Sequence, residues 1–311
     1  MNKKDSYYNH YRSLILGIAL IALLVSYIVS ALVRDPKEPE ARMISVILYD
    51  AGTSGWEALA EGMESARADY NVELNVIVMR EDANAEEQMN IVQREIDGGA
   101  DGLILSVTDH EAMYRKWLEQ EMSIPVLTVE SGFGVDNIPN VAADDYGMGY
   151  LLGEAILKNN DEQEKLNVAV TDNTYNRVSL QERKKGLADA LSDRGEVRDI
   201  STGSGLFNAD AVVALDKTAA MQLLESGRIA GYGSRFYVIG NTPMTVAALG
   251  NDEIREMVFQ NEFNIGYMAV SGIDDILQGR DPGDVNIEYY LIDRDDIYDS
   301  KYEHLLFPIV E

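Results

Sequence analysis

The stretch from Ile91 to Ser106 constrains the fold of this chain more than any other segment. An amphipathic helical pattern ends at Gly98 and Gly99, a short polar turn follows, and a run of buried-strand residues ends at Ser106. Asp109 comes soon after this run. In an open parallel sheet, small ligands bind just beyond the carboxyl ends of the strands. The segment therefore predicts an α/β fold and a place where a ligand would bind.

Strand-like and helix-like patterns alternate along the chain from residue 44 onward. The strand-like runs lie at 44–49, 72–79, 102–105, 124–129, 167–171, 212–215 and 236–239. The helix-like runs lie between them, at 57–69, 86–96, 111–120, 146–157, 180–191 and 218–224. This alternation is typical of doubly wound parallel sheets. Because the rhythm breaks near residues 138–144 and then restarts, it predicts two such lobes with a ligand cleft between them.

One segment of the predicted second lobe does not fit this pattern. Residues 199–202 could form a strand, and only residues 203–210 separate them from the strand-like run at 212–215. A parallel crossover needs about a dozen residues, usually a helix. Either the second lobe lacks one crossover helix, or residues 199–202 are not part of its sheet.

Residues Ser13 to Val33 form an uncharged, mostly apolar run of 21 residues. At about 1.5 Å per residue, such a helix would be roughly 31 Å long, which is about one hydrocarbon thickness. The run predicts a transmembrane signal-anchor at 13–33, with a cytoplasmic tail at 1–12, a linker at 34–42 and the remaining chain outside the cytoplasm, at the cell membrane. Two alternatives are a signal peptide cleaved after Ala31, where Val29-Ser30-Ala31 fits a cleavage site, and a buried helix of a soluble protein.

Charge and motifs exclude several classes of function. The formal net charge is -27, which predicts repulsion from nucleic acid, and the chain has no cysteine for disulfides or thiolate sites. The three histidines lack metal-ligand spacing, and no phosphate-binding glycine loop or nucleophile elbow is present. The sequence therefore predicts a protein that is not an enzyme, with no metal and no cofactor.

Polar and aromatic residues cluster instead in loops that follow the predicted strands. Carboxylates and amides form paired hydrogen bonds with vicinal hydroxyls, arginine offers a rigid donor fork, and an aromatic ring covers the apolar face of a sugar. The residues predicted to bind such a ligand are Asp50, Thr53, Trp56, Asp109, Arg183, Asp216, Asn241, Gln260 and Asn264.

Most of these residues also have an ordinary structural interpretation. Asp109 and Asp216 could cap the helices that follow them, and Trp56 could pack at a hinge. Arg183 shares its helix with other charged residues and could lie on a solvated face, while Asn241 could only turn the chain before a proline.

Five motifs, in this order and spacing, resemble the type I periplasmic-binding-protein family, in the ribose- and galactose-binding branch that shares a fold with the ligand domains of LacI-type repressors. The motifs are GGADGLILS at 98–106 followed by Asp109, IPV at 124–126, DDYGMGY at 144–150, ERKKGL at 182–187 and QNEFNIGY at 260–267. The resemblance covers about residues 43–279. It implies an N-terminal lobe of 43–140 plus 264–282 and a C-terminal lobe of 141–263 plus 283–311, joined by three crossings.

The resemblance also implies roles for individual residues. Trp56 matches a stacking aromatic, Asp109 the hydroxyl-binding aspartate of the first lobe, and Arg183 the arginine of the second lobe. Asp216, Asn241 and Asn264 match the remaining polar groups of the cleft. Three positions depart from the family pattern. Gly55 stands where members often carry a second aromatic residue, and Gln181 stands where some carry another arginine. Asn241 stands where an aspartate is usual.

These features together predict a membrane-tethered, extracytoplasmic solute-binding protein for a sugar or a similar polar molecule. Closure of its cleft would deliver the ligand to an ABC permease or report it to a membrane sensor kinase. The alternative, favoured by the departures from the family pattern, is an interaction module that keeps the fold without the ligand. No nucleic-acid partner is expected, because an apolar helix stands where the repressors carry their DNA-binding domain.

Overall fold

The computed structural model describes residues 3–32, 41–49, 55–80, 83–171, 176–200 and 208–307. The chain divides into two units, Met1–Ala41 and Arg42–Glu311. The predicted positions Asp50 and Thr53 lie outside the described residues.

The N-terminal unit contains one helix, α1, over Lys3–Leu32. Its large apolar side chains between Leu14 and Ile28 are exposed. Among the residues that the structure describes, no helix combines the length and the apolar character that a membrane span requires. The transmembrane helix predicted for residues 13–33 is therefore not supported, although the segment is helical as expected.

The first lobe of the larger unit is built on a six-stranded sheet with the order β2-β1-β3-β4-β5-β11. The strands are β1 (Arg42–Leu48), β2 (Val72–Val78), β3 (Gly102–Leu105), β4 (Val126–Val129), β5 (Asn140–Ala143) and β11 (Val285–Ile287). Its helices are α2 (Glu57–Tyr70), α3 (Ala85–Asp97), α4 (His110–Glu119) and α9 (Glu262–Leu277). All described strand pairs of this sheet are parallel.

The second lobe repeats this plan with the order β7-β6-β8-β9-β10-β12. The strands are β6 (Leu166–Thr171), β7 (Gly195–Ile200), β8 (Ala211–Ala214), β9 (Phe236–Ile239), β10 (Glu256–Gln260) and β12 (Tyr289–Ile292). Within the described sheet, only β12 runs antiparallel to its neighbour, β10, and the other strand pairs are parallel. Its helices are α5 (Asp145–Asn159), α6 (Val178–Leu191), α7 (Lys217–Glu225), α8 (Pro243–Gly250) and α10 (Glu303–Leu306).

The two sheets have the same strand order, and each is covered by helices over buried apolar side chains. The central strands β3, β8 and β9 are buried along their whole length, as expected for parallel strands covered on both faces. The prediction of two doubly wound α/β lobes is thus confirmed.

The resemblance implies crossings between the lobes near residues 140–144, 260–264 and 282. Strand β5 belongs to the first sheet, so the first crossing follows Ala143, within the first of these ranges, although the lobe boundary predicted at residue 140 lies three residues too early. The second lies between β10 and α9, and the third lies between β11 and β12 rather than near residue 282. The predicted break in rhythm at 138–144 therefore contains a short strand, whose sequence Asn-Val-Ala-Ala lacks the run of large apolar residues found in β3.

The uncertain segment near residue 200 is part of the sheet. Strand β7 ends at Ile200 and pairs with β6 as the edge strand, while β8 pairs with the opposite side of β6. Residues 201–207, which connect them, lie outside the described residues.

One helix pair in each lobe packs at very short range, because glycine removes the side chain at the contact. In the second lobe, a Cβ at Gly149 would overlap the carbonyl oxygen of Arg183, and a Cβ at Gly186 would overlap that of Tyr146. In the first lobe, Gly62 of α2 lies in the same way against α9. The close approach of α5 and α6 sets the position of the arginine on α6 relative to the start of α5.

Candidate functional site

Charged and aromatic side chains from both lobes converge on the cleft between the two sheets. They lie at strand ends or helix starts, where neighbouring parallel strands bring their carboxyl ends together. From the first lobe come Tyr49, Trp56, Glu130 and Glu262, and from the second lobe come Asp145, Arg177, Arg183, Asp216, Lys217 and Gln260. We call this set the cleft cluster.

Arg183 is the most connected member of the cleft cluster. Its side chain is 2% exposed, its Nε donates to Asp145 Oδ1 at 2.7 Å, and its Nη1 donates to the carbonyl oxygen of Leu215 at 3.0 Å. Its Nη2 reaches across the cleft to Glu130 Oε1 at 3.4 Å. The alternative that Arg183 lies on a solvated helix face is therefore wrong.

Glu130, the first-lobe partner of Arg183, follows β4 directly and has a φ of 59°. This left-handed conformation is uncommon for a residue other than glycine, and such strain concentrates at functional sites. The conformation places a buried carboxylate in the cleft, where Glu130 also accepts a hydrogen bond from the hydroxyl of Tyr49.

Arg177 forms a second buried ion pair, with Asp216. Its guanidinium carbon lies 4.1 Å from the centre of the Tyr49 ring, so a second-lobe cation covers a first-lobe aromatic face. Asp216 also caps α7, because its Oδ1 accepts from the backbone N–H of Ala219 at 2.8 Å. Asp216 therefore caps α7 and lies in the cleft at the same time, and its predicted role in ligand binding stays a prediction.

Lys217 makes the other charged contact between the lobes. Its Nζ lies 2.7 Å from Glu262 Oε1, and the two side chains are 3% and 6% exposed. The same ammonium lies 4.3 Å from the centre of the Trp56 ring and donates to the carbonyl oxygen of Gly55. Trp56 is itself held by a 2.8 Å hydrogen bond from its Nε1 to the carbonyl oxygen of Tyr49.

Burial and neighbouring charges shift the pKa values of the cluster in both directions. Burial raises the pKa of Asp145 to about 6, even though Arg183 beside it acts in the opposite sense. Burial also raises the pKa of Glu262, although the neighbouring Lys217 ammonium acts in the opposite sense. Burial raises the pKa of Tyr49 well above its ordinary value, and the negative charge of Glu130 adds to this shift. For Asp216, Arg177 outweighs burial and the pKa is lowered.

The described residues of the cluster enclose a very small cavity. The cavity bounded by Glu130, Arg183, Lys217, Gln260 and Glu262 measures about 10 Å³. That is about the volume that one water molecule needs. A solute of sugar size does not fit in this cavity as the described residues bound it.

Four of the predicted ligand-binding residues lie in the cleft cluster. They are Trp56, Arg183, Asp216 and Gln260. Gln260 is 5% exposed and its Oε1 accepts from the backbone N–H of Ala143 at 3.4 Å, at the first crossing between the lobes.

Three other predicted residues lie outside the cluster. Asp109 is half-buried and its Oδ1 accepts from the N–H of Ala112 at 2.9 Å as the cap of α4. Asn264 is exposed on α9, and Asn241 lines a separate, larger cavity. The structure thus gives Asp109 the capping role that the sequence left open.

Sequence reasoning missed several cluster members, although most of them carried a signal. Tyr49 ends the first predicted strand, and Glu130 follows the fourth, so the rule that selected Asp109 applied to them as well. Lys217 and Glu262 are the first residues of helices α7 and α9. Arg177, which comes just before α6, had no comparable signal in the sequence.

The chain was compared with models of known protein families, and the result agrees with the geometry of two similar lobes around a polar cleft. Residues 44–281 match the model of the periplasmic binding protein domain. The chain belongs to this family. A search of curated protein sequences finds no significant match.

Solved structures with the same fold include several solute-binding proteins. GanP, a glucose-galactose binding protein from Geobacillus stearothermophilus, is 21% identical, with a TM-score of 0.69 over 84% of this chain and 100% of that one. An ABC transporter solute-binding protein from Burkholderia graminis, in complex with D-arabinose, is 17% identical, with a TM-score of 0.71 over 84% and 99%. A XylFII–LytSN complex gives 19% identity and a TM-score of 0.70 over 83% and 100%. At these identities the likeness establishes the fold.

Proposed function

We propose that the larger unit binds a neutral polyhydroxyl solute of the sugar class between its lobes. The observation that carries this proposal is the convergence of Trp56, Gln260 and the group formed by Arg183, Asp145 and Glu130 on one cleft. An aromatic ring, an amide and ionised hydrogen-bonding groups are the set that recognises a ring with several hydroxyls. The names of the solved relatives, which include glucose-galactose and D-arabinose binders, support the same class.

In this proposal the lobes open to admit the solute, since the cavity that the described cluster residues bound measures only about 10 Å³. Three chain crossings join the lobes, and a hinge at such crossings allows closure around a ligand. In the proposed cycle, the solute replaces the contact between Glu130 and Arg183, and its hydroxyls take over hydrogen bonds that these groups make to each other.

Thermal unfolding with a panel of sugars tests this function. A ligand present at a hundredfold over its Kd adds about 2.7 kcal/mol to the free energy of unfolding. At roughly 2–4 °C per kcal/mol, that raises the midpoint by several degrees. D-arabinose, D-glucose and D-galactose form the first panel, and a cooperative transition that none of the sugars tested moves would contradict the proposal.

A second candidate function is a ligand-free interaction module on the same fold. The observation that favours it is that ion pairs of the protein itself, Arg183 with Glu130 and Lys217 with Glu262, join the two lobes across the cleft. This function predicts that a partner protein binds equally well to the parent chain and to a variant whose lobes are cross-linked shut. A partner that requires opening of the lobes would exclude it.

The site of action and the partner are part of the same proposal. We infer that the domain works outside the cytoplasm and passes its solute to an ABC permease or reports it to a membrane sensor kinase. An ABC transporter solute-binding protein and the XylFII–LytSN complex among the similar structures support these two partner classes. Cross-linking in cells with and without the sugar identifies the partner. Fractionation of the full chain measures whether residues 1–41 hold the protein at a membrane, and recovery only from the cytoplasm would contradict the inferred location.

A further inference from the structure

A second cavity, far larger than the space in the cleft cluster, opens beside α2 and α8. It measures about 570 Å³, which lies within the usual range of small-molecule sites. The N-terminal turns of α2 and Glu262 bound it on the first-lobe side, and α8 with the chain after β12 bounds it on the second-lobe side. We call it the flank cavity.

Acidic side chains give the flank cavity its charge. Glu57 and Glu61 lie one turn apart on α2 and both line it, as does Glu262. Neither Glu57 nor Glu61 forms an ion pair within the described residues, and no lysine, arginine or histidine is among the described residues that line the cavity. A cation there therefore meets the carboxylates of Glu57 and Glu61, and a third, that of Glu262, whose charge Lys217 already balances.

The opposite wall is apolar and partly aromatic. Val246, Ile297 and Leu306 are buried along it, and Tyr298 stacks on Phe307 with ring centroids 6.3 Å apart and an interplanar angle of 11°. Tyr298 is 79% exposed, so most of its surface is open to solvent at the rim even though its ring stacks on Phe307. Aromatic faces attract cations as well as apolar groups.

One polar group in the wall is unsatisfied. Asn241 lines the flank cavity, and its Oδ1 is buried without a hydrogen-bond partner in the described structure. A buried acceptor of this kind is costly. A rotation of the Asn241 side chain that exposes Oδ1 to the cavity would let an N–H donor on a ligand relieve that cost.

We propose that the flank cavity binds a small organic cation: a protonated amine that carries an apolar or aromatic body. The ammonium group lies among Glu57, Glu61 and Glu262, and its body packs against Val246 and the ring of Tyr298. The Oε1 of Glu262 already accepts from Lys217, which leaves Oε2 for the ligand. Because both lobes supply the walls, the cation binds the closed arrangement and favours it over the open one.

Calorimetric titration of the full chain at pH 7 with protonated benzylamine tests the proposal. Benzyl alcohol, which keeps the ring and replaces the ammonium with a neutral group, is the ligand control. Benzylamine is expected to bind at least tenfold more tightly than benzyl alcohol. Equal affinity for the two, or no binding of benzylamine at millimolar concentration, would overturn the assignment.

Two kinds of variant locate the site. Glu61→Gln is expected to weaken benzylamine binding at least fivefold, whereas Glu64→Gln, which removes the same charge from an exposed position of the same helix, leaves it unchanged. Ala247→Trp fills the flank cavity and is expected to abolish binding while the protein still unfolds cooperatively. An equal loss in Glu61→Gln and Glu64→Gln would mean that only the overall negative charge attracts the amine. The inference does not depend on sugar binding, because benzylamine is titrated without any sugar, and Glu61 lines the flank cavity and is not among the residues that bound the cleft cavity.

Discussion

Lys217 and Glu262 form a buried ion pair across the two lobes, with 2.7 Å between Nζ and Oε1 and no more than 6% of either side chain exposed. Such a pair is weak support for stability in itself, because both charges lose their hydration. Its position between the lobes is what matters. Opening of the cleft separates the two charges and returns them to water, so the ion pair exists only while the lobes are closed.

Removal of one partner from this pair is expected to destabilise the protein strongly. Lys217→Met leaves the Glu262 carboxylate buried without its cation, which costs about 3–5 kcal/mol. Urea unfolding followed by circular dichroism measures the loss.

The double variant Lys217→Met/Glu262→Met is the matched control. It removes both charges and is expected to recover at least half of the loss, because no unpaired charge remains. If the double variant lost as much stability as Lys217→Met and Glu262→Met lose when their separate losses are added, the ion pair would not account for the effect.

Asp145 is expected to make the stability of the protein fall as the pH rises. Its pKa is raised from 3.8 to about 6 in the folded state, so between these values the folded protein holds a proton that the unfolded chain has released. The contribution is fully present below pH 3.8 and is lost as the pH rises through about 6. Since each tenfold difference in proton affinity corresponds to about 1.4 kcal/mol, the contribution is at most about 3 kcal/mol.

Urea unfolding of the parent chain and of Asp145→Asn between pH 4 and pH 7 checks this. The amide keeps an acceptor for Arg183 but does not titrate, so the difference in the free energy of unfolding between the two proteins should change across this window. A difference that stays constant with pH would show that Asp145 does not titrate there.

The close contact of α5 and α6 predicts a selective sensitivity to one added methyl group. Gly186→Ala places a Cβ on the carbonyl oxygen of Tyr146, and the helices must move apart at a cost of about 1–3 kcal/mol. Gly250→Ala adds the same group in α8, where the nearest atom is 3.7 Å away, and is expected to stabilise or leave the protein unchanged. Thermal unfolding compares the two variants. Equal effects would contradict the close packing.

The parts of the fold that the sequence predicted are those with a strong periodic signal. The buried runs at β3 and β9 and the amphipathic pattern of α3 have the bounds expected, to within a residue. Strands β5 (Asn-Val-Ala-Ala) and β11 (Val-Asn-Ile) were missed because neither is a run of large apolar residues like those of β3 and β9. Strand β7 is an edge strand with only one buried residue, so its composition gave no clear strand signal.

The site was predicted only in part, because the sequence locates strand ends but does not say which side chains point into the cleft. Trp56, Arg183, Asp216 and Gln260 reach it, whereas Asn264 is exposed on α9. The missed partners pair across large sequence separations: Glu130 lies 53 positions from Arg183, and no local pattern reports such a contact.

Trp56 provides the most direct test of the claim that the cleft binds a sugar. The chain has two tryptophans, and Trp117 lies in a different apolar cluster on α4, so Trp117→Phe leaves Trp56 as the only reporter in the cleft. We expect a sugar that raises the unfolding midpoint to change the emission of Trp56 saturably, because opening and refilling the cleft moves the Lys217 ammonium away from the indole ring. A sugar that stabilises the protein without any change in Trp56 emission, or a panel in which no sugar has either effect, would contradict the account.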